Sequence, residues 1–251
     1  MEYLLNFIAF EGLRKEGDVF KMDFSGDHEG DLMSLKFSSR KKKKMINGET
    51  ECENYYAYSL DNENGKDFLK SLKYLDDKIK EEDTRLFVNK AVMGFDKEFK
   101  AATYDTIVYP KSSSLVLREL SEQLSDKAGN AVLLPDSFVK LDRADIKFDY
   151  AKIEKLPDAT KKEVLRAIDK IKEGEGDFRL KVVFSRYRKF ITEFLSFNSE
   201  NDRKVYNSIV GKNVILVDDY RTSGTTIKEM KNLLLKLNPK KITVFVLIDV
   251  T

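Results

Sequence analysis

Val214-Ile215-Leu216-Val217-Asp218-Asp219-Tyr220-Arg221-Thr222-Ser223-Gly224-Thr225-Thr226 is the stretch on which the reading of this chain turns. Val214 to Val217 are apolar and mostly β-branched, the composition of a buried strand. Two carboxylates follow, then a small hydroxylated turn. Beyond it, Ile227, Met230, Leu233, Leu234 and Leu237 fall on one face of a helix. A helix N-terminus offers unpaired N–H groups and partial positive charge, so it suits an anion. Thr222, Ser223, Thr225 and Thr226 add hydroxyls, and Gly224 permits close backbone approach or a positive φ. Asp218 and Asp219 would repel a phosphate there, whereas ribose hydroxyls donate well to carboxylates. Strand, acidic pair, turn and helix together describe a pocket for a sugar phosphate. An ordinary strand-to-helix turn needs a cap alone, not an acidic pair and a glycine with it. Adjacent strand residues point to opposite faces, so both carboxylates can serve one ligand only if the strand has ended by Val217.

The remaining sequence bounds the class. With 251 residues, 41% hydrophobic and 35% charged, the chain suits a globular protein with one good-sized core. Lys+Arg 45 against Asp+Glu 43 leaves +2, which argues neither for nor against nucleic acid. Cys52 is the single cysteine, so no internal disulfide forms, and a reducing, cytoplasmic setting is expected. No apolar run approaches the ~20 residues a bilayer span requires. Residues 1–10 are apolar but carry Glu2 and no basic leader, and they read as a first strand. His28, the single histidine, sits among turn residues, and one His with one Cys does not make the usual zinc site. No G-x-x-x-x-G-K-[ST] phosphate loop occurs.

Residues 3–10, 19–24, 32–37 and 55–60 read as short strands with glycines between them, and residues 66–80 as a helix. The lysine run at 41–44 reads as a solvated hairpin tip, with a nucleic-acid contact as the alternative. From residue 104 the texture becomes βαβ. Strands are expected at 106–109, 131–134, 180–184, 214–217 and 242–249, and helices at 114–127 and 158–173. A short segment at 138–140 leads into a long charged connection. This alternation predicts an α/β fold with a parallel sheet and a ligand beyond the strand C-terminal ends.

The stretch from Val214 to Thr226 resembles the PRPP-binding signature of the type I phosphoribosyltransferases: apolar strand, acidic pair, then a T-x-G-x-T loop. The resemblance covers about residues 106–249. It implies that Asp218 and Asp219 hold the ribose hydroxyls, and that Thr222, Ser223, Gly224, Thr225 and Thr226 hold the 5′-phosphate. It also implies that Lys111, Ser112, Ser113 and Ser114 form the pyrophosphate loop, although this loop lacks the glycine of many relatives. Asp218, Asp219 and Lys111 become the catalytic groups. Lys140, Arg143, Arg186 and Arg188 are candidates for the basic residue of a mobile loop. Mg²⁺ is the implied cofactor, carried by pyrophosphate rather than bound directly by the protein.

On this resemblance the chain divides into an N-terminal, strand-rich α+β hood at residues 1–100 and a core at 101–251, with a helical insertion near 150–178. Deleting the first hundred residues is expected to abolish acceptor use while leaving a PRPP-binding core. The implied activity is phosphoribosyl transfer to a nitrogenous base or related acceptor, with pyrophosphate release, as in nucleotide salvage or synthesis. The alternatives are a non-catalytic PRPP- or nucleotide-sensing regulator with nucleic-acid contact through basic segments, and transfer to an unusual acceptor. A homodimer follows from the resemblance alone.

Overall fold

The computed structural model describes residues 10–16, 19–23, 33–37, 44–46, 50–60, 65–74, 76, 78–174, 178, 183–198 and 202–250. Strands β1 (Phe10–Glu16), β2 (Val19–Asp23), β3 (Met33–Phe37) and β4 (Lys44–Ile46) precede the long β5 (Thr50–Leu60). Helices α1 (Gly65–Tyr74) and α2 (Glu81–Phe99) lead to β6 (Thr106–Pro110), α3 (Leu115–Ala128) and β7 (Val132–Lys140). Next come β8 (Lys147–Phe148), α4 (Tyr150–Glu154), α5 (Asp158–Glu173) and α6 (Ser185–Arg188). They are followed by β9 (Ile191–Glu193), β10 (Leu195–Phe197) and α7 (Asp202–Ile209). The last elements are β11 (Asn213–Arg221), α8 (Thr225–Leu235) and β12 (Lys241–Val250).

One ten-stranded sheet runs in the order β10-β7-β6-β11-β12-β5-β3-β1-β2, with β4 also paired to β5. The central strands β7, β6, β11, β12 and β5 are parallel, and antiparallel neighbours flank them. Apolar strands covered on both faces are what a parallel sheet requires. Ile215 and Val217 join the core beneath α1, α2 and α3, while Val214 and Leu216 join the opposite core beneath α5 and α8. The parallel α/β core read from the sequence is thus present.

Several expectations are corrected. Helix α1 stops at Tyr74 instead of continuing to residue 80. The Asp76 carboxylate accepts from Ser71 Oγ at 3.0 Å and from the Lys78 N–H at 3.1 Å, a local turn that competes with helix. Helix α2, unanticipated, buries Phe87, Val88, Ala91, Val92, Phe95 and Phe99. Phe95 stacks on Phe245 of β12 with ring centroids 4.8 Å apart. The segments at 131–134 and 138–140 are one strand, β7, which accommodates Asp136 at φ 52° through a register shift against β6.

The expected boundary near residue 100 crosses a continuous sheet. β5 pairs with β12 from Glu51↔Lys241 to Leu60↔Val250. The described N-terminal strands therefore widen the sheet. Residues 3–9, His28, residues 41–43 and the expected strand positions 180–182 lie outside the described residues. Among the described residues, no helix is long and apolar enough to cross a membrane.

Candidate functional site

Strands β6 and β11 lie side by side, yet their crossovers diverge. β6 connects through α3 to β7, and β11 connects through α8 to β12 on the other side. α3 packs on one face of the sheet and α8 on the opposite face. Such a switch in direction opens a crevice beyond the strand C-terminal ends. A cleft of about 520 Å³ occupies that place. It is bordered by Lys111, Ser112 and Ser113 after β6, and by Asp218 through Ile227 around the end of β11.

The strand does not end at Val217. β11 continues to Arg221 because β12 goes on pairing with it as far as Arg221↔Asp249, whereas pairing with β6 stops at Leu216. Both carboxylates nevertheless border the cleft. Asp218 Oδ1 accepts from the Asp219 N–H at 3.1 Å, and Asp219 Oδ1 from the Tyr220 N–H at 2.9 Å. These bonds hold each carboxylate against the N–H of the residue that follows it. Each residue is only 7% exposed. Burial and the Asp219 charge push the Asp218 carboxyl well above the usual carboxylate range, with Lys73 opposing. Asp219 Oδ2 is buried without a hydrogen-bond partner, and the Lys73 ammonium stands 4.0 Å from it. An acceptor oxygen left unsatisfied beside a cleft is a place for a ligand's donor.

Gly224 has φ 70° and ψ 9°, the left-handed conformation that lets the chain turn directly into α8. The first helical hydrogen bond, Lys228 N–H to Gly224 O, is 2.9 Å. The N–H groups of the first turn precede that bond, so they lack intrahelical acceptors. Ser223 Oγ and Thr225 Oγ1 lie 2.9 Å apart at the turn's mouth.

The second loop divides its roles. Lys111, Ser112 and Ser113 border the cleft, and Lys111 N–H is fixed to Phe138 O at 2.9 Å. Ser112 Oγ accepts from the Ser114 N–H at 3.1 Å, which leaves its own proton to donate. Ser114 is buried, and its Oγ accepts from Leu117 N–H as the cap of α3. Unlike Ser112 and Ser113, it does not border the cleft. Ser114→Ala is therefore expected to cost about 1 kcal/mol of stability, the worth of a cap, in chemical denaturation. Its affinity for a phosphate ligand should stay as in the wild type.

Of the basic candidates, Lys140 and Arg188 border the cleft, while Arg143 and Arg186 do not. Arg143 donates through Nη1 to Ile171 O at 3.0 Å. Arg186 pairs with Glu163 at 2.6 Å, and Tyr187 donates to the same carboxylate oxygen at 2.6 Å. Sequence reasoning missed Lys73 and Tyr74 at the end of α1, and also Phe138, Phe178, Phe194 and Leu195 in the cleft lining. Nothing distinguishes Lys73 in a lysine-rich helix, and no motif marks those apolar residues in the sequence.

With this geometry in view, the phosphoribosyl transferase domain model matches residues 103–251, more than half of the chain. The chain belongs to the phosphoribosyltransferase family. Its matched region begins just before β6 and takes in both cleft loops and the acidic pair. No curated protein sequence matches the chain.

Solved structures resemble this phosphoribosyltransferase distantly. The HGPRT-ase of Leishmania tarentolae in complex with GMP is 13% identical over 67% of each chain, with a TM-score of 0.34. A hypothetical protein from Neisseria gonorrhoeae with bound ppGpp is 16% identical, covering 68% of this chain and 69% of its own, at 0.38. A hypoxanthine-guanine phosphoribosyltransferase from Bacillus anthracis is 16% identical over 68% of each, at 0.33. The family assignment rests on the match at 103–251.

Proposed function

We propose that this phosphoribosyltransferase moves the phosphoribosyl group of PRPP onto a nitrogenous acceptor. The observation that carries the reading is the acidic pair at the end of β11 set directly before a helix N-terminus whose entry is a left-handed glycine. The helix N–H groups and the hydroxyls of Thr222, Ser223, Thr225 and Thr226 hold the 5′-phosphate. Asp218 and Asp219 accept from the ribose hydroxyls, and Asp219 Oδ2 gains the partner it lacks. Lys111, Ser112 and Ser113 receive the diphosphate. The acceptor lies along Phe138, Phe178, Phe194 and Leu195, with Lys140 and Arg188 beside it. Three of these wall residues, Phe178, Phe194 and Leu195, come from the chain between β7 and β11. Among the described residues, the first hundred add only Lys73 and Tyr74.

In the reaction the bond from C1′ to a diphosphate oxygen breaks, and its electron pair leaves with the diphosphate. A bond from C1′ to the acceptor nitrogen forms, and the acceptor gives up its N–H proton to water. Positive charge develops on the ribosyl ring between those events. Fixed carboxylates beside the ring stabilise that charge, and positioning supplies much of the rest. The cleft's donors are carboxylate and hydroxyl oxygens, a set that suits Mg²⁺. Among the described residues, no three His, Cys, Asp or Glu side chains gather as a cage, so the ion's remaining ligands would be substrate oxygens. When bound, Mg²⁺ would neutralise charge on the leaving diphosphate.

Incubation with PRPP, Mg²⁺ and a panel of purine and pyrimidine bases should release pyrophosphate with one or more of them. Stabilisation by PRPP without release under any acceptor would instead make the chain a sensor of PRPP.

A further inference from the structure

We infer that Arg221 is a positioning residue for the phosphate turn, held by a clamp that spans three strands; this rests on the reading that the turn binds a ribose 5-phosphate. Arg221 immediately precedes Thr222 and is the last residue of β11. Its guanidinium forks onto Asp249 of β12: Nε donates to Oδ1 at 2.7 Å and Nη2 to Oδ2 at 2.7 Å. Nη1 donates to the Tyr56 hydroxyl of β5 at 3.0 Å, and the guanidinium carbon lies 4.3 Å from the Tyr56 ring centroid. Asp249 is 2% exposed, while the Arg221 side chain is 28% exposed at the cleft border. Two parallel charge-assisted bonds fix direction as well as distance, which a lysine in the same place cannot do.

The sheet explains why the turn needs this anchor. After Leu216, β11 has lost β6 and is hydrogen-bonded only to β12. Arg221↔Asp249 is the final register pair before the chain leaves the sheet, so the ion pair sits where that half-supported strand would otherwise fray. Arg221 also supports the turn from below, since a Cβ placed on Gly224 would lie 3.4 Å from Arg221 Cδ. Because Asp249 occupies both forked donors, Arg221 acts through the position of the turn. A turn held in one place binds substrate and transition state alike, so loosening it raises KM and spares kcat.

The test compares Asp249→Asn, Tyr56→Phe, Arg221→Lys and the apolar pair Arg221→Met with Asp249→Leu. Each is measured for kcat, for KM toward PRPP, for calorimetric affinity toward ribose 5-phosphate, and for Tm. Asp249→Asn and Arg221→Lys are expected to raise KM and the ribose 5-phosphate Kd about tenfold. Their kcat should change less than about threefold. Tyr56→Phe should raise KM and Kd about twofold. The apolar pair removes both charges together and should regain the wild-type Tm. It should keep the raised KM, which a merely structural ion pair would not. The clamp is overturned if Asp249→Asn binds ribose 5-phosphate as the wild type does, or if affinity returns with Tm in the apolar pair. A wild-type protein that fails to bind ribose 5-phosphate overturns the reading of the turn, and the clamp's role with it.

Discussion

Turnover should fall by about 10²–10³ when Asp218 and Asp219 are both replaced by asparagine, the scale of losing a preorganised electrostatic group at a reacting centre. Asp218→Asn alone should make the ligand-free protein more stable at neutral pH. The side chain is 7% exposed and lies beside a second carboxylate, so its ionised form is disfavoured in the folded chain. Asparagine keeps the oxygen that accepts from the Asp219 N–H and removes the buried charge. A gain of about 1–3 kcal/mol is the scale for relieving such a group. At this chain length each kcal/mol corresponds to roughly 2–4 °C in Tm.

The sign in pH follows from the same shift. Asp218 has a raised folded-state pKa, so the folded chain binds its proton more readily than the unfolded chain does. The wild type should therefore gain stability as pH falls from neutral through that raised value toward 3.8, and lose it again on the way back up. In Asp218→Asn this contribution disappears. Thermal melts across pH, paired with pyrophosphate release, read both effects. A variant that is less stable at neutral pH, or a double variant that turns over normally, contradicts the assignment.

Gly224→Ala should weaken binding of ribose 5-phosphate by about tenfold or more. The left-handed conformation at φ 70° costs an L-residue with a Cβ roughly 1–2 kcal/mol. The new methyl would meet Arg221 Cδ at 3.4 Å, an ordinary van der Waals contact, so the cost lies in the backbone. Relief requires rotating the entry of α8, which moves the N–H groups of Thr225 and Thr226 off the phosphate position. Gly129 is the internal control. It has φ 69°, nothing lies within 4 Å of where its Cβ would stand, and it does not border the cleft. Gly129→Ala should lose more stability than Gly224→Ala, because ψ −76° at Gly129 lies outside the left-handed basin that a side chain tolerates, and no affinity. Equal loss of affinity in both variants would mean that the turn is sensitive only to global stability.

Much of this site is legible in the sequence because its chemistry is local there. The buried strand, the acids and the helix entry follow one another without a break, and Gly224 adopts the positive φ that its place in the turn suggests. What failed depended on distant partners. β11 outlasts Val217 because β12 continues to offer pairing as far as Asp249, a strand read separately in the sequence. Ser114 looks like its neighbours Ser112 and Ser113 until the cap of α3 claims its hydroxyl. Helix α2 carries Glu81, Glu82 and Asp83 ahead of its apolar stripe, and its partner Phe245 is remote in sequence. Lys73 belongs to the cleft only because α1 folds back beside Asp219.

The β5–β12 pairing has a consequence for how the family-matched portion can exist alone. Cutting the chain near residue 100 would strip β12 of its outer neighbour and bare a row of backbone donors and acceptors along Ile242, Val244, Val246 and Ile248. It would also empty the space that Phe95 fills against Phe245. An unpaired apolar strand of that length invites sticking between molecules. The segment matched to the family and the sheet it belongs to thus have different borders. Lys73, whose ammonium stands 4.0 Å from Asp219, lies outside the matched segment.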